Sequence, residues 1–326
     1  MKKKYIKIAG YIVTIVCIIF LIHRLINLDF DYGILLETKS LLVFATITVL
    51  FTIHLVMLPM VWRQTLIITT GASVSYIETT LVYARSNLMK YIPGNIFQYV
   101  GRNEMALRKN LSHIDVALST VLDVGAIIIA TAITALILYF PVIRILLEHL
   151  LAGFIPMAIL AGCLIILIVC IIIFRKRFIK AFDKLIMLFS FKSLLRYSIC
   201  ILYYMFWSFF VSVLFSVILY GILGYSASIL DFRMIMGAYL VSWIVGFITP
   251  GSPSGFGVKE VVFAAIMSGQ VTTDIIIPGI IIFRLVTTVS DFLAFFTVTI
   301  ISWIQQRLAV SKAGLPQVSE SNTQEL

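Results

Sequence analysis

Long apolar runs broken by short polar stretches dominate the chain, and a run of about 20 apolar residues is what a helix needs to cross a bilayer. Six runs meet that length: residues 8–26, 41–62, 116–140, 152–174, 197–221 and 279–303. Two segments break the pattern. Residues 76–109 carry Arg85, Lys90, Arg102, Arg108 and Lys109 among apolar positions, and residues 234–269 form two apolar arms of under 20 residues split by PGSPSGFG. Irregular backbone at membrane depth is tolerable only where protein or a water-filled cavity covers it, so both segments are expected to be re-entrant hairpins or broken helices. The predicted fold is all-α: a polytopic membrane helical bundle of six full spans plus two re-entrant hairpins, about eight membrane segments.

The hairpins carry a related pattern about 157 residues apart. The first has Pro93-Gly94 and then Gly101-Arg102-Asn103-Glu104; the second has Pro250-Gly251 and then Gly257-Val258-Lys259-Glu260. Each precedes an apolar run with a lone aspartate, Asp123 in STVLD and Asp291 in TTVSD. A duplicated, helix-breaking, charged element inside apolar sequence points to a transporter-like binding site. With the N-terminus inside, the halves (about 1–150 and 151–304) run span, span, inner hairpin, span and span, span, outer hairpin, span, an inverted internal repeat. Residues 1–304 are thus expected to be one transmembrane domain, and the polar residues 305–326 a disordered cytoplasmic tail.

Composition sharpens the class. Hydrophobic residues are 61% of the chain and charged residues 12%, with a mean hydropathy of +1.08, well beyond the roughly 45–50% apolar usage of soluble domains. No stretch outside the spans offers the ~50 residues of a separate soluble domain. In the layout above, 19 of the 25 basic residues lie on the inner side, as cytoplasmic loops require. The net charge of +10 then reflects topology and attraction to anionic lipid headgroups, not nucleic acid. The expected location is a bacterial inner membrane, with both termini cytoplasmic.

An ionisable group inside a span costs about 2.5–3.5 kcal/mol on insertion scales, so intramembrane charge marks function or a structural ion pair. Asp123, Arg284 and Asp291 fall within spans. Arg284, Thr287, Thr288 and Asp291 follow i, i+3, i+4, i+7 spacing and share a helix face. Arg284 and Asp291 stand ~10 Å apart along it, too far to pair, so each needs a partner from Glu104, Lys259, Glu260 or Asp123.

The loops have their own chemistry. Proline ends a helix and glycine admits close backbone approach, so each restarting helix offers free N–H groups and a positive dipole end to an anion. Ser252 and Ser254 are candidate caps of the second restart, and Asn95 and Gln98 are candidates to cap the first or to contact ligand there. Arg102 and Lys259 add full positive charge, which suits a phosphate-bearing headgroup. The bland alternatives are structural ion pairs and loops that merely pack together.

Other signals are set aside. Cys17, Cys163, Cys170 and Cys200 sit in apolar runs without metal-ligand spacing. The histidines His23, His54, His113 and His149 are scattered, so neither a metal nor a cofactor is expected. Tyr203, Tyr204 and Trp207 read as lipid-facing or interfacial aromatics. Gly71, Gly221 and Gly224 read as span-end turns.

The loops KYIPGNIFQYVGR and TPGSPSGFGVKE resemble the two signature loops of the lysylphosphatidylglycerol synthase transmembrane region, a flippase-like family, over about residues 5–305. The resemblance implies an integral membrane protein of about eight segments that translocates a lipid. It places Pro93, Gly94, Gly101 and Arg102 in the first loop's role and Gly255, Gly257, Lys259 and Glu260 in the second's. Two departures stand out: the additional Pro253, and Val121-Leu122-Asp123 where an acidic-Arg pair is common. The soluble domain that makes the lipid in such synthases has no counterpart here, so enzyme activity is not implied. The expected function is a flippase for a phospholipid or polyprenyl-phosphate-linked lipid in envelope biogenesis. The substrate path would be bordered by Glu104, Glu260, Asp123, Arg284 and Asp291, with buried carboxylates as proton carriers. The alternative is a non-transporting, lipid-binding accessory subunit of an envelope glycosyltransferase. Expected partners are membrane lipids, with such a glycosyltransferase or a lipid synthase beside them.

Overall fold

A computed structural model describes residues 32–91, 97–141, 190–225, 228–249, 255, 257–268, 270 and 273–312. Every regular element among them is helical. In chain order they are α1 (Thr38–Met57), α2 (Pro59–Thr70), α3 (Tyr76–Leu88), α4 (Phe97–Arg102), α5 (Glu104–Lys109), α6 (His113–Leu138), α7 (Phe191–Gly221), α8 (Ile229–Ile248), α9 (Val258–Met267) and α10 (Thr273–Lys312), with 3-10 turns at Tyr32–Leu36 and Met89–Tyr91.

Five stretches are long and apolar enough to cross a membrane: Thr38–Thr70, His113–Leu138, Phe191–Gly221, Asp231–Ile248 and Ile275–Gln305. Four coincide with predicted runs, while the expected spans 8–26 and 152–174 lie outside the described residues. The first of these stretches is α1 continued by α2. Pro59 at the first position of α2 lacks an N–H, so one hydrogen bond is missing where the two meet. Gly71, at φ 68°, then ends α2, its N–H returning to Ile67 O at 3.0 Å. Gly224 also has positive φ, in keeping with a span-end turn.

The broken segments differ from each other. The first is four short pieces, α3, the Met89–Tyr91 turn, α4 and α5, none near span length. The second corrects the expectation of two short arms: α8 runs 20 residues and includes a span-length stretch, and only α9, at 10 residues, is too short to cross. A capping box explains the extra length. Ser228 accepts from Asp231 N, and the Asp231 carboxylate accepts from Ser228 N at 3.0 Å, which starts α8 ahead of the apolar run. The tail also differs from expectation, because α10 continues to Lys312 instead of stopping near 304; Arg307 lies 3.9 Å from the Trp303 ring one turn back.

Two apolar clusters hold the helices. One centres on Phe215, whose ring stacks on Tyr239 at 4.5 Å and meets Phe263 and Phe283 edge-on at 5.2 and 5.5 Å, joining α7, α8, α9 and α10. The other gathers Trp62, Leu66, Val82, Met105, Ala126 and Tyr204 from α2, α3, α5, α6 and α7. Leu42, Leu202, Phe206, Phe296 and Ile300 are exposed on the outside. A large apolar exterior around a satisfied backbone is the surface a bilayer solvates. Many serine and threonine hydroxyls donate to carbonyls one turn back, such as Thr131 to Ile127 and Thr134 to Ala130, so they add little polarity.

Candidate functional site

The short elements carry charge into the bundle, and three of these charges meet an opposite charge on a long helix. On α4, Arg102 donates to Asp123 of α6 at 2.6 Å. On α9, Glu260 accepts from Arg284 Nε of α10 at 2.7 Å. From the 3-10 turn, Lys90 reaches Asp291 of α10 at 2.6 Å. Both aspartates are 2% exposed, so each must be neutralised and hydrogen-bonded to be stable there.

Further donors complete the shells. Tyr204 OH donates to Asp123 Oδ1 at 2.5 Å. Asn87 Nδ2 donates to Asp291 Oδ1 at 2.6 Å, and Tyr91 OH to Oδ2 at 2.5 Å. The Arg102 guanidinium lies 4.3 Å from the Tyr83 ring centre, 5.3 Å from Trp62 and 5.6 Å from Tyr99, an aromatic box that favours a planar cation. Gly101 lets α4 settle on α3: a Cβ there would stand 2.8 Å from Met89 Sδ and 3.0 Å from Ser86 Cβ.

These groups surround a cavity of about 200 Å³. Lys90, Gln98, Arg102, Asp123, Lys259 and Arg284 line it, with Tyr204, Trp207 and His54 on its walls. Lys259 differs from the other cations. Among the described residues it makes no salt bridge, and its ammonium stands 6.0 Å from the centre of the Trp243 ring. Its stem crosses α8 over glycine, since a Cβ at Gly246 would meet Lys259 Cγ at 2.5 Å. Gly255, at φ +72°, lies 2.9 Å from the Gly246 carbonyl when given a Cβ, so both glycines are needed for this crossing. Gly257 also has positive φ, and it opens α9.

The site residues expected from sequence divide three ways. Gln98, Arg102, Asp123, Lys259 and Arg284 line the cavity, with Glu260 and Asp291 bound to its cations. Glu104 does not line it: it sits half-exposed between Arg85 at 3.5 Å and Arg108 at 2.6 Å. Pro93, Gly94, Asn95, Ser252 and Ser254 lie outside the described residues. Of the partners considered for Arg284 and Asp291, Glu260 is the one found for Arg284, and Asp291 takes Lys90 instead.

Other participants had no sequence signal strong enough to single them out. Tyr204, expected to face lipid, is 1% exposed and bonds Asp123. Trp207 turns its ring toward the cavity and toward His54, with ring centres 4.8 Å apart. Asn87 at the end of α3 and Lys90 and Tyr91 on the following turn lie within four residues of one another, and only their convergence on Asp291 distinguishes them. Among the described residues no group of histidine, cysteine and acidic side chains is arranged to hold a metal.

Comparisons with protein-family models, with curated proteins and with solved structures find no match.

Proposed function

We propose that the chain is a membrane transporter that moves an amphiphile with an anionic, phosphate-bearing headgroup between leaflets: a phospholipid or a polyprenyl-phosphate-linked lipid. The observation that carries this reading is the charge balance of the cavity. Four basic side chains line it, and three carboxylates are bound to three of them. Lys259 is left as the cation that an anionic ligand would neutralise. The paired loop pattern and the resemblance to the flippase-like family agree with that chemistry, and the two halves would act as inverted repeats about the cavity. Net movement would run down a gradient or with an ion.

The matched ion pairs also support a second reading, a lipid-binding accessory subunit of an envelope glycosyltransferase, because three neutralised pairs suit a static bundle. One experiment separates the two. Lipid translocation is measured in proteoliposomes for the wild type, Lys259→Gln and Glu104→Gln, with thermal stability recorded for each. Transport predicts headgroup-selective flux that Lys259→Gln abolishes at unchanged stability and Glu104→Gln retains. Absence of flux for every lipid, from protein that melts normally, rejects transport and favours the accessory reading.

A further inference from the structure

A second, open cavity of about 590 Å³ lies between α4 and α6, on the far side of Tyr99 from the polar one. Tyr99 and Val124 line both cavities, so they form the wall between them. From that wall the groove follows α6 outward past Thr120, Val121, Ala117 and Val116 to His113, where the imidazole meets Asn103 Oδ1 at 3.0 Å. Positions 113, 116, 117, 120, 121 and 124 fall on one helix face, and the stripe is ~16 Å long at 1.5 Å per residue.

The stripe is apolar in chemistry as well as sequence. The Thr120 hydroxyl donates to Val116 O at 3.0 Å, so its polarity is met within the helix. Val121 is 65% and Val100 62% exposed, a surface that in a bilayer meets hydrocarbon. Valine and alanine leave a channel where leucine or phenylalanine would fill it. One end is apolar and shares a wall with a cationic cavity; the other ends in an amide and an imidazole.

The geometry points to this groove as the seat of one acyl chain of the transported amphiphile, its headgroup lying in the polar cavity and Tyr99 acting as the partition between them. The inference rests on the transport reading for the headgroup, and adds where the tail goes. Tyr99 suits the part: its ring stands 5.6 Å from the Arg102 guanidinium and meets the Phe247 ring edge-on at 6.5 Å, and both of those residues line the polar cavity. An amphiphile held this way keeps its chain against hydrocarbon while its phosphate faces Lys259.

The test uses the full-length protein in nanodiscs of zwitterionic lipid. An anionic phospholipid with a photoreactive group at the end of one acyl chain is cross-linked and the adducts are mapped. Binding of the same lipid and of soluble glycerol phosphate is then measured for wild type, Val121→Trp and Ala117→Phe. Both substituted positions are exposed, so the fold is not asked to accommodate the larger side chains. Expected are adducts concentrated on the 116–124 stripe, and lipid affinity lowered about tenfold or more in both variants, with glycerol phosphate binding unchanged. Adducts spread equally over the outer face of α7, at Leu202 and Phe206, or lipid affinity within about twofold of wild type in both variants, overturn the groove. Failure of glycerol phosphate to bind wild-type protein overturns the headgroup reading instead, whatever the adduct map shows.

Discussion

Lys90 Nζ lies 2.6 Å from Asp291 Oδ2, joining a three-residue 3-10 turn to the longest helix of the bundle. The Asp291 side chain is fully enclosed, while Lys90 keeps 18% of its own surface open. Removing the carboxylate strands a mostly buried ammonium together with the Asn87 and Tyr91 donors. Asp291→Ala should therefore lose about 2–4 kcal/mol, somewhat less than a fully buried pair because Lys90 retains some water. Thermal unfolding in detergent reads this. The double replacement Lys90→Met with Asp291→Leu should recover much of the loss, and equal melting of Asp291→Ala and wild type would refute the structural weight given to the pair.

Arg102 should not tolerate lysine. The charge is kept, but the flat face over Tyr83 and the directed Nη1 hydrogen bond to Asp123 are not. Arg102→Lys is expected to cost about 1–3 kcal/mol and to impair lipid translocation. A variant that melts and transports like wild type would show that charge alone matters at this position.

The two glutamates of the paired loop pattern should part company. Glu104 belongs to a solvent-accessible cluster with Arg85 and Arg108, where such pairs contribute about 0–1 kcal/mol. Glu260 is buried and holds Arg284 at the cavity wall. Glu104→Gln should leave melting and flux near wild type, and Glu260→Gln should lower both. Side-by-side measurement decides it, and equal effects would contradict the placement of Glu104 outside the site.

At Gly279 α10 packs against α7. A Cβ there would overlap Leu219 Cδ2, so Gly279→Ala is expected to destabilise by about 1–3 kcal/mol. Adding Leu219→Ala should restore part of that, since the two sites share one contact. Additive losses in the double variant would show that the clash is not the cause.

The positions where sequence reading worked share a physical feature: the signal is local. A 20-residue apolar run names a span by its length, and Gly71 ends one by its backbone freedom. Arg102, Asp123, Glu260, Arg284 and Asp291 were visible because charge in an apolar run is costly wherever it sits. The α8 length was misread because the hydropathy of the arm is diluted near Arg233, which donates to the carbonyls of Leu138 and Ile137 at the end of α6 and so is provided for.

The sequence by itself determined the class, an all-helical chain with apolar helices long enough to cross a membrane, and most of the charged residues of the candidate site, because hydrophobic length and the cost of buried charge are properties of single segments. Tertiary structure alone decided which charge meets which. Asp291 takes Lys90, Asn87 and Tyr91, Asp123 takes Arg102 and Tyr204, and Glu104 is left outside while Lys259 stands in the cavity with no carboxylate bound to it among the described residues. Such pairing depends on distances of a few ångströms between helices far apart in the chain, and Coulomb and hydrogen-bond energies are set at that scale, on which sequence spacing carries no information.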